Sequence, residues 1–351
     1  MGSAISSLTI RKIIQEIKPK IEDKYLNKVQ QLEKNLYRFR FSPGSKDLLI
    51  EPGKRLNITK YRLQAPKQAT QASMIIRKHL ENTKLEKINQ KGFDRVVEMT
   101  FTNGNKVIAE IFGEGNLILT DKDKKIIYAH RRGEWKHRKI IKNAEYKYPP
   151  SDTNSFYQTD LEEFKKQLEE KEEDKKIVVL LATDYGLGGK IAEHICKEAN
   201  IDKNKKNLEE TEIEKIYEKT KKTLEKEPKP VKQGEKINPF PLEGEIDEKY
   251  NSISQAIDEN YTEKQEKTEK SKELKKLEKR LKHQKEAIKG FKEKIKENKK
   301  KGDLIYKNYD KVAKAIELFN KGKEGREKLQ ELGVELKDGK IILELEEPKK
   351  E

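Results

Sequence analysis

Gly92-Phe93-Asp94-Arg95-Val96-Val97-Glu98-Met99-Thr100-Phe101 is the stretch on which the reading of the fold turns. Polar residues give way after Gly92 to β-branched and aromatic ones, the composition of a loop running into a strand. Asp94 and Arg95 stand at the start of that strand. Successive side chains on a strand point to opposite faces, so one of the pair is expected to brace the backbone while the other reaches outward. The same two residues also read as a surface ion pair, worth ~0–1 kcal/mol. Downstream, Thr102-Asn103-Gly104-Asn105 is a hairpin signal, and residues 106–112 form the return strand. Its Val107, Ala109 and Ile111 face away from Ile108 and Phe112. Turns at Gly113-Glu114-Gly115-Asn116 and Asp121-Lys122-Asp123-Lys124 lead into further short strands at 117–120 and 126–129, completing an antiparallel meander.

Upstream, Leu8, Ile10, Ile13, Ile14 and Ile17 recur at helical spacing, with Ser6 or Ser7 as N-cap and Pro19 ending or bending the helix. Strand-like runs follow at 28–33, 36–41 and 47–50, with Pro43-Gly44-Ser45 as a turn. Leu36, Arg38 and Arg40 share one face and Tyr37, Phe39 and Phe41 the other. An aromatic face belongs in a core, which leaves those arginines exposed. A second helix is expected over 69–80. Arg77, Lys78 and His79 near its end are candidate RNA contacts, although the helix dipole alone favours cations there. Helices at the edge of an antiparallel sheet give an α+β class.

Composition narrows the function. The chain has 351 residues, 40% of them charged and 33% hydrophobic, so more than one core and some solvated helix are expected. A net charge of +16 favours a polyanionic partner, nucleic acid or an acidic membrane surface. The longest apolar run, 177–182, is far short of the ~20 residues of a membrane span, and no secretory signal follows Met1, so no membrane partner is expected. A single cysteine, Cys196, excludes an internal disulfide and fits a reducing, cytoplasmic setting. Five scattered histidines and one cysteine make no zinc set, and no metal or cofactor is expected.

Ten of the twelve arginines precede residue 139. Arginine's planar fork recognises phosphates and base edges in a fixed geometry, where lysine acts as a mobile point charge. The segment Arg131-Arg132-Gly133-Glu134-Trp135-Lys136-His137-Arg138 sets basic residues around the only tryptophan, a pattern suited to RNA backbone and base stacking. It reads equally as a loop tip whose Trp135 packs back on the sheet.

From 160 to 216 the periodicity is helical, and Tyr185-Gly186-Leu187-Gly188-Gly189-Lys190-Ile191-Ala192 within it is a helix-hairpin-helix pattern. Gly186, Gly188 and Gly189 permit a tight turn and close approach of backbone to a phosphate, with Lys190 and the second helix's first N–H groups facing it. The same glycines also serve close packing of two helices. Residues 227–250, proline-rich at first, are expected to be an extended linker. Beyond it Leu274, Leu277, Leu281, Gln284, Ile288, Phe291 and Ile295 alternate three and four apart, a heptad seam that continues to Ile305, Tyr309, Val312, Ile316 and Phe319 with a break at Gly302. The seam needs a partner helix, and a homodimer would supply one. Val334-Glu335-Leu336, Lys337-Asp338-Gly339-Lys340 and residues 341–345 form a β-hairpin. A hairpin at the tip of one coiled-coil arm, with no returning arm, reads as part of a longer chain. The expected organisation is an α+β domain (4–158), a helix-hairpin-helix domain (159–226), the linker (227–250), one coiled-coil strand (251–325), and a helix end with the hairpin (326–351).

Several segments in this order resemble the NFACT family of ribosome-associated quality-control factors, in its archaeal type. They are Glu51-Pro52-Gly53-Lys54-Arg55-Leu56, Ile76-Arg77-Lys78-His79-Leu80, the Gly92–Glu98 stretch, and Phe112-Gly113-Glu114-Gly115-Asn116-Leu117-Ile118-Leu119. Residues 184–192 resemble the family's helix-hairpin-helix element, and Gly302-Asp303-Leu304-Ile305-Tyr306-Lys307-Asn308-Tyr309 its mid-coiled-coil signature. The resemblance implies an NFACT-N domain at the start of the chain and partners in tRNA and in the large ribosomal subunit holding a stalled peptidyl-tRNA. It also implies support of template-independent C-terminal tailing, with no catalytic residue. The family's Asp-Arg pair after Phe, important for tRNA engagement, maps onto Asp94 and Arg95. Two departures stand out. Relatives often carry Asp in the first helix where this chain has Thr9, and the returning arm and RNA-binding NFACT-R region are not in this sequence. Two other classes fit less well. A formamidopyrimidine-glycosylase-like repair enzyme needs an N-terminal proline or glutamate amine and usually a zinc finger, whereas this sequence begins Met-Gly-Ser-Ala with one cysteine. A coiled-coil adhesion protein would carry a signal or a membrane segment.

Overall fold

The computed structural model describes residues 5–44, 46–135, 138–150, 155–169, 175–337 and 340–345; Ser45, Lys136, His137 and the Asp338-Gly339 turn lie outside them. Helix α1, Ser7–Ile21, begins as its sequence dictates: the Ser6 hydroxyl accepts a hydrogen bond from the Thr9 backbone N–H at 3.1 Å. It continues two residues past Pro19, because Ile17 and Ile21 are fully buried and pin its last turn to the core.

Strands β1 (Tyr25–Glu33), β2 (Leu36–Ser42), β3 (Lys46–Glu51) and β4 (Arg55–Thr59) form one antiparallel sheet in sequence order. After α2 (Gln71–Leu80), strands β5 (Leu85–Gln90), β6 (Val96–Phe101), β7 (Lys106–Glu110), β8 (Asn116–Thr120) and β9 (Ile126–Ala129) form the expected meander. A short hairpin of β10 (Gly133–Trp135) and β11 (Arg138–Ile140) pairs Trp135 with Arg138. Isoleucines of α1, the apolar side of α2 and alternate residues of both sheets share one core, among them Ile13, Ile76, Phe39, Met99 and Leu119. One expectation fails here. Arg38 is buried, not exposed: Leu63 carbonyl, Gln30 and Asp47 hold its guanidinium. The face it shares with Leu36 is covered because Leu63 and Ala65 pack onto Leu32, Leu36 and Leu49.

A second core gathers α3 (Leu161–Glu169), the short α4 (Ile177–Val179) with the π-helical turn Leu180–Asp184 that continues it, α5 (Gly189–Glu198) and α6 (Glu210–Glu225). Its centre is aromatic: the Phe156 ring lies 5.2 Å from Tyr185, 5.4 Å from Phe164 and 5.3 Å from Tyr217. Leu8 and Phe93 belong to this core, so the first helix and the loop before β6 are wedged between the two. Residues 227–250 are not an extended linker. They contain β12 (Val231–Gln233), β13 (Lys236–Asn238) and β14 (Glu248–Lys249) in one three-stranded sheet. The proline spacing suggested extension, but Gly234 at φ +62° turns the chain into a hairpin, and Ile237, Phe240, Leu242 and Tyr250 are buried against the two cores.

Helix α7, Ile253–Lys307, is rooted in the same body. Glu16 of α1 accepts from the backbone N–H groups of Ile253 (2.8 Å) and Ser254 (3.3 Å), a carboxylate placed where the helix dipole favours it. Buried Asp258 accepts from Thr59 Oγ1 and Lys60 N, both at 3.0 Å, and from Asn57 Nδ2 at 3.3 Å. Arg55 lies 4.2 Å over the Tyr261 ring. The chain divides into two compact units, Met1–Lys264 and Gln265–Glu351. In the second, the seam residues Leu274, Leu277, Leu281, Ile288, Phe291 and Ile295 are all exposed. The helix does not break at Gly302. It breaks at Asn308 (φ −114°, ψ 31°), whose side chain donates to the Leu304 carbonyl at 2.9 Å. A glycine weakens a helix by ~1 kcal/mol without ending it. Helices α8 (Tyr309–Asn320) and α9 (Lys323–Glu331) and strands β15 (Val334–Lys337) and β16 (Lys340–Leu343) then close a small core on Ala315, Leu329 and Val334.

A backbone contact between two turns helps to join the four-stranded and five-stranded sheets. The Gly53 N–H donates to the Glu110 carbonyl at 3.0 Å, and a Cβ on Gly115 (φ +69°) would fall 1.8 Å from Gly53 N. Gly115→Ala is therefore expected to cost about 3 kcal/mol or more, read by denaturant unfolding; a cost below ~1 kcal/mol would show that the loops separate easily. Asp258 supplies a pH test. Burial raises its carboxyl pKa against the pull of its hydrogen bonds, so the protonated form is favoured in the fold. Its contribution is full at acid pH and is lost as pH rises through the raised pKa. The unfolding free energy of Asp258→Asn should accordingly gain on that of wild type as pH rises from ~3 towards neutrality. A gain in the opposite direction would show that the hydrogen bonds outweigh burial. Asp258→Ala should lose ~1–3 kcal/mol by orphaning its donors.

Candidate nucleic-acid interface

Asp94 and Arg95 lie in the turn before β6, not in the strand itself. Alternation begins only at Val96; both residues line one cleft, of about 470 Å³, and Arg95 also lines a smaller cavity beside it. The turn is fixed by its backbone. Asp94 N–H donates to Lys91 carbonyl at 3.0 Å, Ile111 N–H donates to Arg95 carbonyl at 2.7 Å, and Arg11 donates to Gly92 carbonyl at 2.7 Å. Buried Gln90 donates both to Asp94 carbonyl (2.8 Å) and to Ser7 carbonyl (3.0 Å), tying the turn to the start of α1. Phe93 anchors it from below, 5.6 Å from the Tyr157 ring.

Two helices present their N-termini to the cleft. Ser6 and Ser7 open α1, and Gly186, Leu187 and Gly188 lead into α5, with Gly186 at φ +63° and Gly188 at φ +82°. Neither helix carries an acidic residue in its first turn; α1 is capped by the Ser6 side chain, and α5 has no side-chain cap. Thr9, at the position where Asp was the expected residue, spends its hydroxyl on Ser6 at 2.8 Å. Phe112, Pro149 and Pro150 form the opposite wall. Arg95 itself is half-buried, and among the described residues its guanidinium makes no hydrogen bond or salt bridge. Burial draws its pKa below the ordinary arginine value and Asp94 pushes it back up, yet a guanidinium stays charged. The neighbouring arginines are tied: Arg40 to Asp47 at 2.7 Å, Arg55 to Glu51 at 3.1 Å and Arg138 to Glu110 at 2.8 Å. A half-buried cation beside two helix N-termini, one of them without a side-chain cap, is suited to an anion.

The structure thus brings Asp94, Arg95, Gly186 and Gly188 together. Gly189 is the first residue of α5, and Lys190 follows it fully exposed. Arg77 and Lys78 lie elsewhere, on α2. Arg77 donates to Val29 carbonyl at 2.7 Å, joining α2 to β1, while Lys78 is exposed. Arg131, Trp135 and Arg138 line a second, neighbouring cavity, with Arg131 paired to Glu114, and Arg132 is exposed. Trp135 fits both readings of its segment: Gly133 packs under its ring, yet 53% of the residue is exposed. Sequence reasoning missed Gln90, Phe112, Pro149 and Pro150 as parts of the site. Only the N-cap pattern at Ser6 and Ser7 gave a readable signal. Among the described residues no group of three or more His, Cys, Asp or Glu side chains is placed to hold a metal, and no helix is long and apolar enough to cross a membrane.

Comparison with known proteins agrees with this architecture. Residues 6–341 match the family model described as NFACT N-terminal and middle domains. An archaeal Rqc2 homologue, aRqcH of Methanocaldococcus jannaschii, is 34% identical over 312 residues, 82% of this chain and 46% of its own length. The ribosome quality control complex subunit NEMF homologue of Drosophila melanogaster is 30% identical over 222 residues, 60% of this chain and 21% of its own. The chain thus spans less than half the length of these relatives. Among solved structures, the N-terminal part of the fibronectin/fibrinogen-binding protein of Streptococcus suis superposes with a TM-score of 0.63 at 21% identity, covering 74% of this chain and 100% of that one. That likeness shows a shared fold of mixed helix and antiparallel sheet. With the family model covering nearly its whole length, this chain belongs to the NFACT family.

Proposed function

We infer that this protein is a ribosome-associated quality-control factor that holds tRNA through the Arg95 cleft. The observation that carries this reading is the half-buried Arg95 guanidinium, without a hydrogen bond or salt bridge among the described residues, set in one cleft with the N-termini of α1 and α5. An RNA phosphate fills the open fork of Arg95 in a bidentate contact, and Asp94 orients that fork or accepts from a base donor. The Gly186–Gly188 turn serves as the helix-hairpin-helix contact to the same backbone, with Lys190 beside it. Relatives named as ribosome quality control subunits support extending the reading to the large ribosomal subunit carrying a stalled peptidyl-tRNA, and to template-independent tailing of the nascent chain. The seam from Leu274 to Ile295 is one strand of a coiled coil whose partner is a returning arm or a second copy. The lysine-rich surface of α7 adds general attraction. No step of this reading makes or breaks a bond, so the protein acts as a binder, not an enzyme.

Filter binding of tRNA to wild type and Arg95→Ala tests this directly. The variant should bind at least about ten-fold more weakly, with a salt dependence shallower by about one counterion. Lys279→Ala on α7 should change affinity less than two-fold at physiological salt. Equal losses from both substitutions would remove the cleft from the tRNA site.

A further inference from the structure

Beside the cleft lies a larger cavity of about 550 Å³, within the ~300–1,000 Å³ range of sites that take a small planar ligand. Its apolar lining comes from Phe112, Trp135, Pro149 and Pro150. Its charges cancel in pairs: Arg138 with Glu110, and Arg131 with Glu114. A free phosphate gains little there, because each guanidinium already faces a carboxylate. A neutral aromatic ring gains the apolar wall and an open indole.

Trp135 is built to offer that indole. Cross-strand pairing with Arg138 fixes its backbone, and the Arg138 guanidinium lies 5.8 Å from the ring centroid. Gly133 lies against the ring: a Cβ there would meet Trp135 Cη2 at 2.7 Å. The ring is therefore held in place and still half exposed. Phe112, Pro149 and Pro150 line both this cavity and the Arg95 cleft, so the two are separated by a single ridge.

We propose that this second cavity receives one unpaired nucleobase of an RNA strand, stacked on Trp135, while a neighbouring phosphate of the same strand occupies the Arg95 cleft across the ridge. The inference deepens the tRNA reading and rests on it for the phosphate. The division of labour follows from the hydrogen bonding: in the cleft the Arg95 guanidinium makes no hydrogen bond or salt bridge among the described residues and is the donor open to an anion, whereas in the cavity each guanidinium already faces a carboxylate and the apolar wall takes the ring.

Because Trp135 is the only tryptophan, tryptophan emission excited at a wavelength that the thirteen tyrosines do not absorb reports on this cavity. A short unstructured RNA oligonucleotide and tRNA should each quench it saturably, and an oligonucleotide made wholly of abasic nucleotides should bind more weakly and leave it unchanged. Trp135→Ala should weaken filter-measured RNA binding about five- to a hundred-fold, and Trp135→Phe should restore most of it, since any aromatic face stacks. Gly133→Ala, which displaces the ring without removing it, should fall between them. Circular dichroism of each variant should match wild type, which separates loss of binding from loss of fold. RNA binding that depends on Arg95, with unchanged fluorescence and wild-type affinity in Trp135→Ala, would overturn the base site and leave the cleft standing. Quenching with wild-type affinity in Arg95→Ala would keep the base site and remove the cleft. Absence of RNA binding by wild type would overturn both.

Discussion

Two glycines meeting backbone to backbone set the geometry on which the rest of the first unit depends. Gly53 sits in the middle of the β3–β4 turn of one sheet and Gly115 ends the β7–β8 turn of the other, and they approach so closely that neither position has room for a Cβ. The Gly53 N–H bond to Glu110 carbonyl then fixes where β7 stops. From that point the chain turns through Ile111, which donates to Arg95 carbonyl, and Phe112, which forms the ridge between the two cavities. A contact remote from any ligand thus determines where the arginine stands and what faces it. The glycine-containing motifs at 51–56 and 112–119 are one structural device written in two places.

The electrostatics of this unit separate positioning cations from available ones. Arg38, Arg40, Arg55, Arg77, Arg131 and Arg138 each spend their fork on a carboxylate or carbonyl, and so act as struts between strands and loops. Arg95 stands apart among them because it is half-buried and without such a bond among the described residues. Burial of a cation costs free energy that its surroundings must offset. Here the offset is partial, coming from Asp94 beside it. An exposed lysine of α7 bears no such burial cost, because solvent screens its charge.

The sequence carried the elements better than it carried their neighbours. Strict alternation at 96–101 and 107–111, the N-cap at Ser6 and the turns at Asn103-Gly104 and Gly113–Gly115 are local signals, and the strands and helix they mark stand where expected. Burial of Arg38 and the sheet at 231–249 were not legible, because each depends on residues far along the chain: Leu63 for the first, the two hydrophobic cores for the second. The placing of Asp94 and Arg95 is a finer matter: strand alternation starts at Val96, and the two residues before it belong to a turn. Family resemblance singles the pair out as a candidate, and the fold adds the glycine turn at 186–188 and the start of α1 to its surroundings.

The root of α7 extends the same logic. Its first turns are held by Glu16 from α1, by Asn57, Thr59 and Lys60 around Asp258, and by Arg55 under Tyr261. Asn260 and Tyr261 line a small cavity of about 210 Å³ together with Ile5, Ser6 and Arg95, directly behind the cleft. The start of the long helix and the candidate RNA site therefore share a wall, and Ser6, the cap of α1, belongs to both. Glu16 lies on α1 as well, so the helix that aims its N-terminus at the cleft also caps α7. Loosening α1 would then disturb both ends at once. An arginine lining both cavities, beside a helix that borders both, makes the candidate site and the root of the arm one mechanical unit.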